Sequence, residues 1–168
     1  MHTAIVILAA GKGTRMKSEM PKVLHEVAGA PLLMHCMKTA QTIEHEHLII
    51  VAGHGSEDVT KAAETYAPDS QIVTQSAQLG TAHAVAQSRE VLSGFEGDLI
   101  ILYGDTPFIR PETLENLAQA RQKSDLVILG FEANDPGHYG RLITSGTDLL
   151  EIVEYKEANA AQKDIRLC

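Results

Sequence analysis

Near the start of the chain, Thr3–Leu8 (TAIVIL) forms a β-branched-rich run without a charged residue, and it stops at a glycine-containing loop. Such a run is far too short to span a membrane and reads as a strand buried on both faces, the place of a central strand in a parallel sheet. From Pro31 the apolar positions Leu33, Cys36, Met37, Ala40 and Ile43 recur at spacings of three and four, which predicts a covering helix with proline at its first position. Leu48–Ala52 (LIIVA) repeats the buried-strand pattern, and Ser56 is placed to cap a helix whose first turn carries Glu57 and Asp58.

The alternation continues with a strand over Gln71–Gln75, a helix over Thr81–Ser93, a strand over Leu99–Tyr103, a helix over Pro111–Lys123 and a strand over Leu126–Phe131. It predicts an α/β fold: a mostly parallel, Rossmann-like sheet with helices on both faces and ligands bound beyond the carboxyl ends of the strands. After Phe131 the rhythm changes. Arg141–Thr144, a Ser145-Gly146 turn and Leu149–Tyr155 predict a β-hairpin near the carboxyl end. With 168 residues and no repeat, linker or low-complexity tract, residues 1–168 are read as one domain.

Composition narrows the function. A net charge of −8 argues against a nucleic-acid partner, so any polyanion must be met by a local group of cations. Cys36 and Cys168 have neither metal-ligand nor disulfide spacing, no signal or membrane segment is visible, and a reducing, cytoplasmic location is expected. The eight histidines show no metal pattern.

The local cations lie in the loop after the first strand. Residues 8–22 read LAAGKGTRMKSEMPK, with Lys12, Arg15, Lys17 and Lys22 against the single acid Glu19. Gly11 and Gly13 let backbone amides approach phosphate oxygens. A dinucleotide fingerprint would need a third glycine at Met16, and a P-loop would need a Gly-Lys-Ser/Thr ending; both are missing. Arg15, with a planar fork, and Lys22, with a mobile point charge, together suit a triphosphate. The alternative is a solvated loop whose charges only aid solubility.

Here the sequence resembles a known family. LAAGKGTRM followed by PKVLHEVAGAPLL (21–33) resembles the signature of sugar-nucleotide pyrophosphorylases. QSAQLGTAHA (75–84), YGDTP (103–107), DPGHYGR (135–141) and IVEYK (152–156) resemble the uridylyltransferase domain of bacterial bifunctional N-acetylglucosamine-1-phosphate uridylyltransferase/glucosamine-1-phosphate acetyltransferase. The resemblance covers essentially the whole chain. It implies a nucleotidyltransferase sheet and transfer of UMP from UTP to N-acetylglucosamine 1-phosphate with Mg²⁺ as cofactor, yielding pyrophosphate and a cell-envelope precursor.

Residue by residue, the resemblance implies that Leu8, Ala9, Ala10, Gly11, Gly13, Gln75, Gly80 and Thr81 hold the nucleotide, and that Arg15 and Lys22 are catalytic. It assigns Asp105 to the metal, and Gly140 and Glu154 to the sugar. A glutamine amide donates and accepts at once, as uracil requires; read alone, Gln75 is better taken as a strand-end cap and Gly80-Thr81 as a helix start. Asp105 follows a buried strand, where a hard oxygen suits Mg²⁺, but Gly-Asp-x-Pro is also an ordinary turn. Glu154 read alone is an exposed strand carboxylate.

The resemblance also implies an amino-terminal piece of a homotrimeric protein, with an Asn-containing strand that completes the sugar site, a further Asn that helps Asp105 hold Mg²⁺ and an acetyltransferase β-helix to follow; UTP or UDP binding with little uridylyl transfer is the expected behaviour of the piece alone. Three other readings stay open: a nucleotidyltransferase of the same scaffold serving molybdopterin or another sugar phosphate, a nucleotide-binding module without turnover, and, weakest, a nicotinamide-dependent oxidoreductase.

Overall fold

The structure is a computed structural model describing residues 2–11, 13, 18, 20–53 and 55–168. It divides into two compact units, Met1–Asn116 and Leu117–Cys168.

The first unit is built on a four-stranded sheet of order β5-β4-β1-β6, with every pairing parallel. Its strands are β1 (Thr3–Ala9), β4 (His47–Ala52), β5 (Gln71–Thr74) and β6 (Asp98–Tyr103). A small antiparallel pair, β2 (Glu26–Val27) and β3 (Ala30–Pro31), precedes the first helix. The central strand β1 is buried at every position but Leu8, which is half-buried. Its side chains alternate between faces. Val6, with Leu8, joins Ile49, Val51 and Val73 beneath Ala84, Val91 and Leu92 of the crossover from β5 to β6. The other face is covered by α1 (Leu32–Ala40) and α2 (Ser56–Tyr66), which pack on each other and on β1 and β4 respectively. α1 buries Leu33, Met34, Cys36, Met37 and Ala40, the stripe expected from its spacing. α3 (Thr81–Ala86) follows β5, and α4 (Pro111–Arg121) buries Leu114.

The second unit holds the expected hairpin, β7 (Arg141–Ser145) against β8 (Asp148–Val153), closed through Gly146 at φ 62°. The short helix α5 (Ala160–Lys163) starts with a reciprocal cap, Asn159 Oδ1 accepting from the Gln162 amide and Gln162 Oε1 accepting from the Asn159 amide.

The elements depart from expectation in four places. Pro31 is extended (ψ 144°) and stands before α1, because it is still paired in β3; the turn between β2 and β3 uses Ala28 and Gly29 at φ 52° and 77°. Ser56 is the first helical residue of α2 instead of its cap, the cap position being Gly55 at φ 68°. The third helix stops at Ala86 and tightens into a 3₁₀ turn, Gln87–Arg89. Around that turn the Gln87 side chain donates to His83 O (2.9 Å) and Ser88 Oγ to Val85 O (2.6 Å), local bonds that compete with helix continuation. Leu126–Phe131 is not a strand. Pairing begins only at Phe131, whose amide and carbonyl exchange bonds with Cys168 (2.8 and 2.9 Å), and Leu126, Ile128, Leu129 and Phe131 are exposed. An apolar run supplies propensity, but a strand also needs a neighbour to bond.

Parallel register sets the level at which the chain leaves the sheet: Ala9 pairs with Ala52, Ala52 with Thr74, and Leu8 with Tyr103. Residues 10–11, 53, 75 and 104–105 therefore emerge along one edge. At that edge Gly53 is pressed against the first loop; a Cβ there would lie 2.7 Å from Ala10 O and 2.8 Å from Ala10 Cβ. Gly53→Ala is expected to lower unfolding free energy by about 1–3 kcal/mol through forced backbone displacement. Gly11→Ala, whose added methyl meets nothing within 4 Å, should change it by less than about 0.5 kcal/mol. Urea unfolding of both variants beside the parent checks the contrast; equal losses would refute it.

Candidate nucleotide site

The residues expected to hold a nucleotide gather at this carboxyl edge. Leu8 and Ala9 close β1, and Leu8 O accepts the Gly104 amide (2.9 Å), tying the first loop to the turn that carries Asp105. Ala10 O accepts from Gln78 Nε2 at 2.7 Å, so the segment after β5 reaches across to the segment after β1. Gly11 is exposed and open. Gln75 is 5% exposed; its amide donates to Ala52 O (2.8 Å), and its Nε2 lies 3.1 Å from Gly80 O and 3.0 Å from His83 Nδ1. The side chain thus braces the turn before α3, with Gly80 at φ 96° and Thr81 exposed at the first helical position.

The same edge carries a charged pair. Lys22 Nζ donates to Asp105 Oδ2 at 2.5 Å, with the side chains 42% and 29% exposed. At that exposure the bond adds little stability, so its interest is chemical: a cation and a hard carboxylate face solvent together where ligands bind in such sheets. Gly13 (φ 58°) lies against Lys22, and a Cβ on it would come within 2.8 Å of Lys22 Cβ. The glycine is therefore required both by its backbone conformation and by close approach of the lysine stem. Arg15, the second expected cation, lies outside the described residues.

Asp105 is held from beneath. Thr106 closes its turn onto Tyr103 O through both amide (3.1 Å) and hydroxyl (2.7 Å). Cys36, on α1, contributes its Sγ at 3.4 Å from both Tyr103 O and Thr106 O. Burial pushes the Cys36 thiol from 9.0 up to about 11, with Asp105 adding to the rise. Among the described residues no group of three or more His, Cys, Asp or Glu side chains is placed to hold a metal ion. A single carboxylate such as Asp105 can still serve Mg²⁺ where phosphate oxygens and water complete the shell.

In the second unit, Gly140 and Glu154 are neighbours. A Cβ on Gly140 would lie 3.8 Å from Glu154 Oε1 and 3.6 Å from Val153 O, and the Glu154 side chain is exposed. The missing side chain of Gly140 lets the Glu154 carboxylate come close to its backbone, and a carboxylate beside a backbone amide is a pair able to bind hydroxyl groups.

Residue patterns did not reveal the bracing shell of Gln78, His83, Gly53, Gly104 and Cys36. Gln78 and His83 fall within the 75–84 string, but their partners are settled only by folding. Cys36 fitted the apolar stripe of α1 and carried no separate signal.

Comparison with known proteins agrees with this geometry. The family model described as MobA-like NTP transferase domain matches residues 5–166. The Bifunctional protein GlmU of Ruegeria pomeroyi is 56% identical over 168 residues, all of this chain and 37% of that protein; the chain thus spans little more than a third of that curated relative. Among solved structures, HddC from Yersinia pseudotuberculosis superimposes with a TM-score of 0.74 at 25% identity, covering 92% of this chain and 69% of its own. A UDP-glucose pyrophosphorylase complexed with UDP-glucose shares the fold, with a TM-score of 0.75 at 19% identity, over 99% of this chain and 73% of its own. No helix among the described residues is long and apolar enough to cross a membrane.

The environment of Cys36 yields a pH prediction. Its folded value lies above the unfolded one, so its contribution to stability is complete below about pH 9 and is lost as pH rises towards 11. Alkylation at pH 8 should label half-buried Cys168 far faster than buried Cys36. Cys36→Ser should flatten the part of the stability profile between pH 9 and 11. Rapid labelling of Cys36 in the folded protein would contradict this.

Proposed function

The chain belongs to the MobA-like NTP transferase domain family, and from that premise we propose that it transfers UMP from UTP to N-acetylglucosamine 1-phosphate, releasing pyrophosphate and forming UDP-N-acetylglucosamine, a precursor for the cell envelope. The supporting observation is the Lys22–Asp105 pair beside Gly13. It offers a phosphate-binding cation and a metal-binding carboxylate within one hydrogen bond of each other.

The chemistry requires no general base. A phosphate oxygen of the sugar phosphate attacks the α-phosphorus of UTP, a new P–O bond forms, and the bond to the β-phosphate breaks in line as pyrophosphate leaves. The acceptor is already anionic at neutral pH, so positioning and charge neutralisation carry the rate. Arg15 and Lys22 stabilise charge building on the α-phosphate and the leaving group. Asp105 would hold Mg²⁺, which when bound would neutralise phosphate charge. As Lys22 moves to phosphate, it gives up Asp105 Oδ2 and frees that oxygen.

The uracil is read by Gln75 and by backbone groups of Leu8, Ala9, Ala10 and Gly11, with Gly80 and Thr81 closing the base site. With Gln75 Nε2 directed to Gly80 O and His83 Nδ1, its Oε1 is the atom left to accept the uracil imide N–H. Gly140 and Glu154 take the sugar hydroxyls.

Pyrophosphate release across a panel of nucleoside triphosphates and sugar phosphates tests the reading. Whatever turnover the chain supports is expected to be fastest with UTP and N-acetylglucosamine 1-phosphate, and preference for GTP or for another acceptor would replace the reading. Lys22→Ala should slow turnover by about 10²–10³ while UTP affinity falls much less. Asp105→Asn should sharply reduce Mg²⁺-dependent activity without unfolding the chain. Normal turnover in Lys22→Ala would remove that lysine from the mechanism.

A further inference from the structure

Arg141 has no part in the chemistry above, yet it is the largest fully buried side chain among the described residues, at 2% exposure. Its guanidinium is surrounded by carbonyls. Nε and Nη2 donate to Lys163 O (3.4 and 3.2 Å), Nη2 also to Gly137 O (3.1 Å), and Nη1 to Tyr139 O. Tyr155 lies below, its ring centroid 5.8 Å from Arg141 Cζ and 4.9 Å from Lys163 Nζ, while His138 meets the same ring edge-on at 4.5 Å. The charge is met by carbonyl dipoles and an aromatic face, and Lys163 O, at the carboxyl end of α5, is a partly negative site. Burying a cation in this way is costly, and a neutral side chain would fill the volume more cheaply.

What the guanidinium does geometrically is join two segments. Its planar fork draws the carbonyls of Gly137 and Tyr139, from the loop before β7, and of Lys163, from the end of α5, to one point. Gly140 lies between one residue whose carbonyl is held, Tyr139, and the anchor itself. Arg141 is also paired across the hairpin with Val153, the residue before Glu154.

We propose that Arg141 is a positioning residue for acceptor binding: it clamps the 137–140 loop so that the Gly140 amide is presented beside the Glu154 carboxylate. This inference rests on the reading of Gly140 and Glu154 as the sugar site. Shape matters more than charge here, because a lysine would keep the charge but not a fork able to meet three carbonyls.

The test uses Arg141→Lys in the full chain, with two readouts. Amide hydrogen exchange reports the clamp. The Gly137 amide bonds to Asp135 Oδ1 and the Tyr139 amide to Pro136 O, both at 3.0 Å, and both are expected to exchange faster while the β1 and β4 amides do not. Calorimetric titration reports its purpose: affinity for N-acetylglucosamine 1-phosphate should fall about tenfold, the worth of one or two hydrogen bonds, with UTP affinity within about twofold of the parent.

If Arg141→Lys does not fold, Gly137→Ala serves in its place. Its added methyl meets nothing within 4 Å, but φ is 46°, so it disturbs the clamped loop through the backbone alone. Unchanged loop exchange, a loosened loop with normal acceptor affinity, or equal weakening of both ligands would each overturn the proposal. A parent chain that binds UTP but not the sugar phosphate would overturn the sugar-site reading instead, and loop exchange would then decide the clamp by itself.

Discussion

Backbone hydrogen bonding on both edges of β1 is the constraint from which the first unit follows. The strand is buried almost throughout, so its amides and carbonyls need protein partners. Ala4–Ala9 finds them along His47–Ala52, and Thr3–Leu8 along Asp98–Tyr103. A slip of one residue would turn Ile5 and Ile7 into the face now filled by Val6 and Leu8. The register is therefore held by side-chain packing, and it fixes the height at which the loops after β1, β4, β5 and β6 begin.

The loops at that height touch one another because several positions have little or no side chain. Gly53 lies on Ala10, Gly13 on the stem of Lys22, and Gly104 would lie 3.0–3.3 Å from Leu8 O, Val23 and Leu33 if given a Cβ. An acidic chain is thereby able to meet a polyanion with a few cations, since backbone amides and close approach supply what net charge does not. The bond from Lys22 to Asp105 fixes the lysine stem at this edge and gives the aspartate a counter-charge.

Much of this was legible in the sequence, for identifiable reasons. Apolar runs made the strands legible: β1 and β4 are buried almost throughout, whereas β5 and β6 are only partly buried, with Leu99, Ile101 and Tyr103 exposed, yet all four were readable to within one residue. Asp105 could be placed at the ligand edge because it follows such a run. Its bond to Lys22 could not be read, because the partners are 83 residues apart in sequence and meet only through the sheet. Leu126–Phe131 misled because propensity is local whereas pairing is not, and the third helix was overread because Gln87 and Ser88 satisfy backbone groups by their own side chains. Arg141 was invisible for a different reason: an arginine in a polar, glycine-rich string reads as exposed, and only the converging carbonyls reveal a buried one.

The pairing of Thr3 with Asp98 also has a meaning in time. As the chain leaves the ribosome, β1 is made before either neighbour, and its second neighbour arrives only after β4, β5 and α3 have been synthesised. At about 5–20 residues per second, one edge of the most apolar strand stays open for several seconds of translation. During that interval the nascent protein depends on whatever shields an unpaired strand, and early synthesis is the stage at which it is most exposed to chaperones and to aggregation.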